Sequence, residues 1–365
     1  MDYRGRVARV QERMRAQGLD WLLVAPSADL TYLTGLEARH GDRLTALLVP
    51  ATGEATALVP LLEAGTLDRE ELPGALLTWP DGADPVALIV ERLAGAHSDA
   101  HEVGVTESLW ARDLLPLQQR LPSARLSVAT SALQPVRERK DEAELDLLRR
   151  AAHAADRVFE RICAAGLEGR SESEVANLLK DMIVEEGHDA VAFCIVAAGP
   201  HGSRPHHDPG TRRLARGDLV VLDYGGSIDG YNSDITRTLA VGDPGPEARA
   251  VYEAVRAAQE TGVRAVRPGV TTGAVDVATR TALEEAGYGA YVVHRTGHGL
   301  GLELHEAPYL VAGNDTELQQ GMVFSVEPGL YLQGRFGVRI EDIVAVTPDG
   351  VERLNQSDRA LRIVE

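Results

Sequence analysis

The sequence predicts an α/β domain over residues 1–130 and, after a linker at 131–139, a second domain of helices and hairpins over 140–365. The length supports two domains, because 365 residues exceed what one hydrophobic core usually organises. Short apolar runs that alternate with helical periodicity favour the α/β class for the first part. Acidic residues within strand-like, glycine-bounded segments distinguish the second part.

The first domain begins with a predicted helix over residues 3–17, in which Val7, Val10 and Met14 recur at helical spacing. Gly18 follows this stretch and is typical of a helix C-terminus. The other predicted elements of this domain are strands at 21–25, 45–49 and 55–59 and helices near 84–95 and 107–120.

The second domain opens with an amphipathic helix, whose apolar stripe consists of Leu145, Leu148, Ala152, Ala155 and Phe159. Acidic side chains at its start suit the positive end of the helix dipole. Further helices are predicted at about 173–186, 246–266 and 272–286. The strand-like segments that carry acidic residues lie between and after these helices.

Composition excludes several classes of partner. The net charge of −18, from 37 basic and 55 acidic residues, argues against nucleic acid and anionic membrane as partners. No apolar run approaches the ~18 residues that a membrane span needs, and the charged N-terminus is not followed by the apolar core of a signal peptide. We therefore expect a cytoplasmic protein. Cys163 and Cys194 lie in apolar company, which favours two buried free thiols over a disulfide.

Two pairs of acidic residues lie on hairpin-like segments. Asp223 and Asp234 flank a turn-rich stretch at 225–230, and a turn centred between positions 228 and 229 would make them direct cross-strand partners. Carboxylates paired in this way lie roughly 5 Å apart and repel each other unless a cation lies between them. Glu327 and Glu341 are likewise symmetric about a loop centred near Gly334.

These four carboxylates and His298 form a hard, oxygen-rich set of candidate metal ligands. Such a set suits Mn²⁺ or another divalent ion better than a structural zinc. Five ligands are too many for one tetrahedral ion but fit two ions ~3.5–4 Å apart that activate a water. The alternative for each acid taken alone is an ordinary solvent-facing strand residue. That alternative is weakest for Asp223, which follows an apolar strand-like run.

The histidines support the metal hypothesis. His298 lies between two glycines, which allow the backbone to approach another group closely, and His305 follows seven residues later. His206 and His207 form a second cluster. A single histidine is more often a structural or surface residue, but several histidines near acidic strands favour a functional site.

Several motifs together resemble the pita-bread metallopeptidases, a family that includes prolidase, aminopeptidase P, methionine aminopeptidase and creatinase. The motifs that carry the resemblance are Leu222-Asp-Tyr-Gly-Gly, Ser233-Asp-Ile-Thr-Arg-Thr, His294-Arg-Thr-Gly-His-Gly-Leu-Gly, Glu327-Pro-Gly and Arg339-Ile-Glu-Asp. The resemblance spans roughly residues 140–365 and implies an α+β pita-bread fold there. Asp29-Leu-Thr-Tyr-Leu-Thr-Gly resembles the creatinase/prolidase N-terminal domain more weakly.

The resemblance also implies roles for individual residues. It implies two divalent ions per subunit, with Mn²⁺ favoured and Co²⁺ and Zn²⁺ as alternatives, held by Asp223, Asp234, His298, Glu327 and Glu341. Of these, Asp234 and Glu341 would bridge the ions, and Glu327 would also act as a general base. His206 and His305 would bind substrate and stabilise the developing charge, with His207 only a neighbour. Tyr231 and Arg339 would contact substrate or support the ligands.

The activity implied is hydrolysis of an N-terminal Xaa-Pro bond in dipeptides or short peptides. Prolidase, the Xaa-Pro dipeptidase, is favoured over aminopeptidase P. However, some prolidases carry an arginine shortly after the His-Glu-x-Pro stretch, where this chain has Tyr309. A non-catalytic peptide-binding protein on the same fold is the alternative of a different class. The resemblance further implies a homodimer or higher homo-oligomer, with the N-terminal domain of a neighbouring subunit at the mouth of the site.

Overall fold

The computed structural model describes residues 1–38, 40–96 and 102–365. The chain divides into two compact units, Met1–Arg137 and Glu138–Glu365. Residues 131–137 of the predicted linker belong to a helix, Thr130–Arg137, that forms part of the first unit. The domain limits drawn from the sequence stay a prediction.

The N-terminal unit is an α/β structure around one mixed sheet, as the sequence predicts. Its elements are helices α1 Tyr3–Gln17, α2 Ala28–Thr34, α3 Pro85–Ala96, α4 Ala111–Arg120 and α5 Thr130–Arg137, strands β1 Trp21–Val24, β2 Ala46–Pro50, β3 Ala55–Pro60, β4 Gly74–Trp79, β5 Glu102–Val105 and β6 Arg125–Val128, and a 3₁₀ turn Ala64–Thr66. The strand order is β4-β3-β2-β1-β5-β6, with β2 antiparallel to both of its neighbours and the remaining pairs parallel.

The predicted first helix has the predicted end. Gly18 adopts the left-handed conformation, with φ 71°, and its N–H bonds back to the last turn. This conformation is accessible to glycine at little cost, which is why glycine is common at this position. Of the tryptophans, Trp21 and Trp79 are buried in the core of this unit, whereas Trp110 is half exposed and stacks on His40.

The C-terminal unit is an α+β structure. Its helices are α6 Glu142–Cys163, α7 Glu172–Glu185, α8 Gly245–Ala265 and α9 Thr272–Glu285, its strands are β7 Ala190–Ala198, β8 Leu219–Ile228, β9 Tyr231–Asn232, β10 Ile235–Val241, β11 Gly297–Gly299, β12 Glu306–Leu310, β13 Val323–Val326, β14 Gly329–Leu332, β15 Phe336–Arg339, β16 Asp342–Val346, β17 Val351–Arg353 and β18 Arg362–Val364, and its 3₁₀ turns are Gly199–Ser203 and Gly289–Tyr291. One sheet has the order β18-β10-β8-β7, a second has the order β12-β11-β13-β16-β17, and β14 pairs with β15.

Helices cover the sheets and form the apolar cores. Phe159 of α6 and Leu179 of α7 pack with Leu222 of β8 in one buried cluster. Val255 of α8 packs with Leu330 of β14 in another. The helices therefore pack on the strands through apolar side chains. Among the described residues, no helix is both long enough and apolar enough to cross a membrane.

The strand pairing predicted for the two acidic hairpins is wrong for the first and right for the second. In the first, Ile228 pairs with Tyr231, so the turn consists of Asp229 and Gly230 and lies one position later than the predicted centre. Asp223 consequently pairs with Thr236, and the predicted direct pairing with Asp234 is wrong. Because the shift in pairing is two residues, it does not exchange the faces of the strand.

The second hairpin has the predicted symmetry. Val326 pairs with Asp342 at one end, and Gly329 pairs with Arg339 further towards the loop. Glu327 and Glu341 therefore occupy equivalent positions on the two arms.

Candidate active site

A cavity of about 880 Å³ opens in the C-terminal unit. It is lined by Phe193, Cys194, Ile195, Pro205, His206, Asp208, Asp223, Asp234, His294, Arg295, His298, Leu304, His305, Glu327, Arg339 and Glu341. The five predicted metal ligands and the predicted catalytic histidines are all among them. The fold thus gathers, in one cavity, residues from distant parts of the sequence.

Strands and strand ends position the five predicted ligands. Asp223 lies within β8, and Asp234 occupies the break between β9 and β10. His298 is the central residue of β11. Glu327 directly follows β13, and Glu341 directly precedes β16, on the two arms of the second hairpin.

His298 presents a lone pair to the acidic residues. Its Nδ1 lies 3.1 Å from the carbonyl oxygen of Gly299, which accepts the proton of that nitrogen. Its Nε2 then faces Glu327 Oε1 at 3.3 Å and Asp234 Oδ2 at 3.7 Å. Burial, and then the neighbouring His305, lower the pKa of His298 to about 3, so the imidazole is neutral.

The carboxylates of the cluster are buried without enough donors. Asp223 Oδ1, Asp234 Oδ1 and Glu341 Oε1 are buried, and no group within the described residues donates a hydrogen bond to them. Burial raises the pKa of Asp234 well above its ordinary value, and the charges of Glu341 and Asp223 raise it further. Burial likewise raises the pKa of Glu341 well above its ordinary value, helped by Glu327 and Asp223, and raises that of Glu327 to about 7.

These observations test whether the residues fit divalent cations. Carboxylate oxygens without donors and a histidine lone pair repel one another, and burying such groups unpaired costs several kcal/mol each. The potential ligand atoms of Asp234, His298 and Glu341 all lie within 4.8 Å of one another. Carboxylate oxygens with one imidazole suit hard or borderline divalent ions. The donor set therefore fits such ions.

Two hydroxyl groups that the sequence analysis missed hold the ligand side chains. Thr236 donates to Glu341 Oε2 at 2.7 Å. Ser325 donates to Glu327 Oε1 at 3.0 Å and accepts the N–H of His298 at 3.0 Å. Both lie two residues from a predicted ligand, and this period-two spacing along a strand was the signal that could have identified them.

Arg339 and Tyr231, both predicted to contact substrate, lie in different places. Arg339 lines the cavity, but its guanidinium pairs with Asp223 and donates to the Tyr331 hydroxyl at 2.7 Å. Tyr231 is not among the residues that line the cavity. Its ring lies in a buried apolar cluster, and its hydroxyl donates to Glu144 Oε1 at 2.8 Å. The structure thus brings Arg339 to the site and leaves Tyr231 in the core behind it.

His206 and His305 both line the cavity and are exposed. The ring of His305 lies 3.8 Å from that of His298, measured between centroids. The partial covering of the His305 ring by the cavity wall, and then the charges of Arg295 and His206, lower its pKa. His207 is buried and is not part of the cavity lining, in keeping with its predicted status as a neighbour.

The cavity contains further residues that the sequence analysis did not single out. Arg295 lies over the Tyr309 ring, 4.5 Å from its centroid, and forms no ion pair within the part of the chain that the structure describes. Phe193, Ile195 and Leu304 supply an apolar wall. No pattern in the sequence distinguishes these apolar residues from core residues, whereas Arg295 lies within the quoted His294 motif.

Cys194 also lines the cavity. Burial raises its pKa to about 12, and it forms no disulfide. Cys163 is free as well, and burial raises its pKa to about 11. The prediction of two free thiols is confirmed, but both side chains are only partly buried.

Comparisons with known proteins identify the family of this chain. Residues 6–139 match the model of the Creatinase/Prolidase N-terminal domain, and residues 146–348 match that of Metallopeptidase family M24. The chain is 44% identical to the probable dipeptidase PepE of Mycobacterium tuberculosis, over 99% of this chain and 96% of that protein. It is 32% identical to the Xaa-Pro dipeptidase of Lactobacillus helveticus, over 98% of each chain. The crystal structure of a prolidase from Thermococcus sibiricus has a TM-score of 0.94 and 39% identity, and covers 100% of both chains.

The fold, the two family models and the full-length relatives agree with one another. The N-terminal unit is a creatinase/prolidase-type domain, and the C-terminal unit has the pita-bread fold. The cavity lies in the part of the chain that matches the peptidase model. The chain is a metallopeptidase and belongs to family M24.

Proposed function

We propose that this metallopeptidase is an Xaa-Pro dipeptidase, which hydrolyses the bond between a free N-terminal residue and a following proline. The observation that carries the proposal is the buried cluster of Asp234, His298, Glu327 and Glu341, whose carboxylate oxygens and imidazole lone pair converge within one cavity. Full-length relatives named dipeptidase and Xaa-Pro dipeptidase support the choice of substrate.

Membership of a metallopeptidase family implies divalent metal ions. We assign two ions to Asp223, Asp234, His298, Glu327 and Glu341. The preponderance of carboxylate oxygens favours Mn²⁺, with Co²⁺ and Zn²⁺ as alternatives. When bound, such ions supply Lewis acidity and lower the pKa of a coordinated water.

Glu327 would transfer a proton from the attacking water to the leaving nitrogen. Its carboxylate lies in the cavity, with Oε1 held by the Ser325 hydroxyl at 3.0 Å. It accepts a proton as the oxygen of the attacking water bonds to the scissile carbonyl carbon. It then delivers this proton to the proline nitrogen as the carbon–nitrogen bond breaks. Without that proton the nitrogen would have to leave as a high-energy anion.

His206 and His305 would act on the scissile group from the cavity wall. An imidazole N–H can donate to the carbonyl oxygen as negative charge develops on it, and such stabilisation is typically worth a few kcal/mol. Arg339 would act indirectly, because its guanidinium holds Asp223 and the Tyr331 hydroxyl. For Tyr231, the bond to Glu144 favours a packing role over the substrate contact implied by the resemblance.

The other residues of the cavity favour a dipeptide over a longer peptide. The apolar wall of Phe193, Ile195 and Leu304 suits a proline ring. Arg295 forms no ion pair within the described residues and can receive the C-terminal carboxylate, which lies on the proline itself only in a dipeptide. Cleavage of longer peptides, as by an aminopeptidase P, is not favoured.

A substrate comparison tests the proposal. The Mn²⁺-loaded protein should cleave Ala-Pro with a higher kcat/KM than Ala-Pro-Ala. Asp234→Asn should lose both bound metal and turnover, whereas Asp229→Asn, in the exposed turn of the same hairpin, should retain both. The proposal fails if neither peptide is cleaved, or if the longer one is preferred. Full metal content and turnover in Asp234→Asn would refute the ligand assignment.

We also propose that the chain forms a homodimer or higher homo-oligomer, with the N-terminal domain of a neighbouring subunit at the mouth of the cavity. The support is the resemblance to the creatinase and prolidase family. Sedimentation velocity tests it, since a dimer has twice the 39.2 kDa mass of the chain. A single species at the mass of one chain would refute it.

A further inference from the structure

A second cluster of ionisable side chains lies outside the cavity. Glu172, in the first turn of α7, is fully buried, and both of its oxygens face histidines. Its Oε1 lies 2.9 Å from His201 Nδ1, and its Oε2 lies 2.9 Å from His207 Nε2. The two imidazole rings are 4.4 Å apart between centroids.

Backbone groups complete the environment of Glu172. Oε1 also accepts the N–H of Ala198 at 2.9 Å, and Oε2 accepts the N–H of Gly210 at 3.1 Å. Burial alone would raise the pKa of Glu172, but the hydrogen bonds from Ala198, His207, Gly210 and His201 outweigh burial and hold the pKa below its ordinary value. The group is therefore a carboxylate that accepts hydrogen bonds from four donor groups.

This pattern distinguishes the cluster from a cation site. Each oxygen of Glu172 already receives at least two donors, since His201 Nδ1 also lies 3.1 Å from Oε2, and the histidine nitrogens that face the carboxylate carry protons. A metal ion would have to displace these bonds. In the cavity, by contrast, Asp234 and Glu341 each keep a buried oxygen to which no described residue donates. Glu172 therefore acts as a hydrogen-bonding centre that holds neighbouring chain segments.

The segment it holds is the loop that carries His206. Pro205, His206 and Asp208 line the cavity, whereas His207 is buried and points to Glu172. His207 thus faces the carboxylate, while the residues directly before and after it face the cavity. Gly210, at the end of this stretch, is bound by the same carboxylate.

Ser173, next to Glu172 in α7, strengthens the same attachment. Its hydroxyl lies 3.0 Å from the carbonyl oxygen of Pro209 and 2.9 Å from that of Gly210. Its N–H donates to the carbonyl of Gly210 at 3.0 Å. The start of α7 therefore holds the loop from behind, opposite the cavity.

We propose that Glu172 is a positioning residue for turnover, which acts through His207 and Gly210 to fix the place of His206 in the cavity wall. The inference rests on the proposed function for the role of His206. Removal of the negative charge leaves the N–H groups of Ala198, Gly210 and the two histidines with a weaker acceptor. The loop then relaxes, and His206 is no longer held where substrate meets it.

The test is a double-mutant cycle on the metal-loaded full chain. Glu172→Gln should reduce kcat for Ala-Pro by roughly 10- to 100-fold, the usual effect of removing a supporting hydrogen bond at a catalytic site. Metal stoichiometry should stay at the wild-type value. In a His206→Ala background the same substitution should have almost no further effect. An equal factor in both backgrounds would overturn the proposal.

Matched variants separate positioning from a loss of stability. Glu174→Gln alters an exposed residue in the same helical turn and should leave kcat unchanged. If Glu172→Gln does not fold, His207→Leu removes one donor to the same carboxylate. That variant should also lower kcat in the wild-type background and not in His206→Ala. A loss in both backgrounds would again overturn the proposal.

A measurement without substrate distinguishes this proposal from the proposed function. The imidazole NMR signals of His206, assigned by their loss in His206→Ala, should shift in Glu172→Gln and not in Glu174→Gln. If the wild-type protein fails to cleave Xaa-Pro substrates, the proposed function falls, and these spectra still report on the position of His206. Unchanged His206 signals in Glu172→Gln would refute the positioning role.

Discussion

Single hydroxyl and guanidinium groups fix the ligand side chains in place. Thr236 holds Glu341, Ser325 holds Glu327 and the backbone of His298, and Arg339 holds Asp223. Each of these groups restricts a carboxylate or a strand that would otherwise move away from like charges. Residues of this kind usually change metal affinity or activity about 10- to 100-fold when replaced.

Arg295 is expected to recognise the free carboxylate of the substrate. Arg295→Gln removes a charge-assisted hydrogen bond and should lower kcat/KM for Ala-Pro roughly 10- to 100-fold. The amide Ala-Pro-NH₂ lacks the carboxylate, so its kcat/KM should be nearly the same for wild type and variant. Arg267→Gln, an exposed residue away from the cavity, serves as the control. An equal loss for both substrates would contradict carboxylate recognition.

His305 is expected to act on substrate and not to hold metal. His305→Ala should lower kcat because it removes a donor to the developing oxyanion, by roughly 100-fold if it is a principal donor. Metal content, measured by atomic emission on the purified variant, should stay near that of the wild type. If metal and activity fall together, His305 belongs to the coordination shell.

At the scale of elements, the site depends on how closely three strands approach one another. β11 lies between β12 and β13, and the glycines at its two ends, Gly297 and Gly299, permit this close contact. A Cβ atom at Gly297 would lie 1.9 Å from the carbonyl oxygen of Ser325, and one at Gly299 would lie 2.2 Å from that of Ala307. The glycines on either side of His298 thus allow its strand to pair with both neighbours.

Gly297→Ala tests this requirement. The added methyl group must push β11 away from β13, which displaces His298 from Glu327. We expect the variant to lose metal affinity as well as thermal stability, with an overpacking cost of about 1–3 kcal/mol. Gly350→Ala is the matched control, because no atom lies within 4 Å of its Cβ position. Wild-type metal affinity in Gly297→Ala would show that the close approach is not needed.

At the scale of the whole chain, two neighbouring acids show how buried charge is managed. Burial would raise the pKa of Asp342, but Arg237, Arg359 and Arg353 outweigh it and hold the pKa below its ordinary value. The adjacent Glu341 faces other carboxylates, and its pKa is raised. The cavity cluster, whose four carboxylates share only Arg339 as a paired cation among the described residues, should therefore make the stability of the protein depend on pH.

This difference predicts a pH dependence for metal-free protein. The folded-state pKa values of Asp234, Glu327 and Glu341 lie above the value of about 4 expected in an unfolded chain. Their protonated forms favour the fold, so this contribution is complete below pH 4 and is lost as the pH rises through about 7 and above. Bound metal ions take the place of these protons, because they too neutralise the buried carboxylates. The thermal midpoint of Mn²⁺-loaded protein should therefore exceed that of EDTA-treated protein by a margin that grows from pH 5.5 to pH 8.

Differential scanning fluorimetry at matched ionic strength measures this margin. Asp229→Asn should reproduce the wild-type trend, because the exposed turn residue takes no part in the cluster. In Asp234→Asn the margin between the two thermal midpoints should grow less with pH, since the substitution removes one of the titrating groups. A margin that is constant or narrows with rising pH would contradict the assignment of protons and metal ions to the same residues.

The sequence by itself determined the local elements and the identity of the chemical groups. The helix that ends at Gly18, the symmetric positions of Glu327 and Glu341, and the free cysteines follow from short-range patterns that tertiary contacts do not override. The correct register of the first hairpin could also have been predicted from the sequence. The dipeptide Asp229-Gly230 adopts positive φ at both residues, which is the conformation that makes Asp-Gly a strong hairpin signal.

Only the tertiary structure decided which side chains meet. The hydroxyl of Tyr231, which was predicted to contact substrate, reaches Glu144 in the core, whereas Arg295, for which no role was predicted, lies at the cavity. Likewise, Glu172 appears in the sequence only as an acid at the start of the helix predicted at about 173–186, where the dipole alone would explain it. Its partners lie at positions 198–210, and such contacts depend on how helices and sheets pack, which short-range periodicity does not encode.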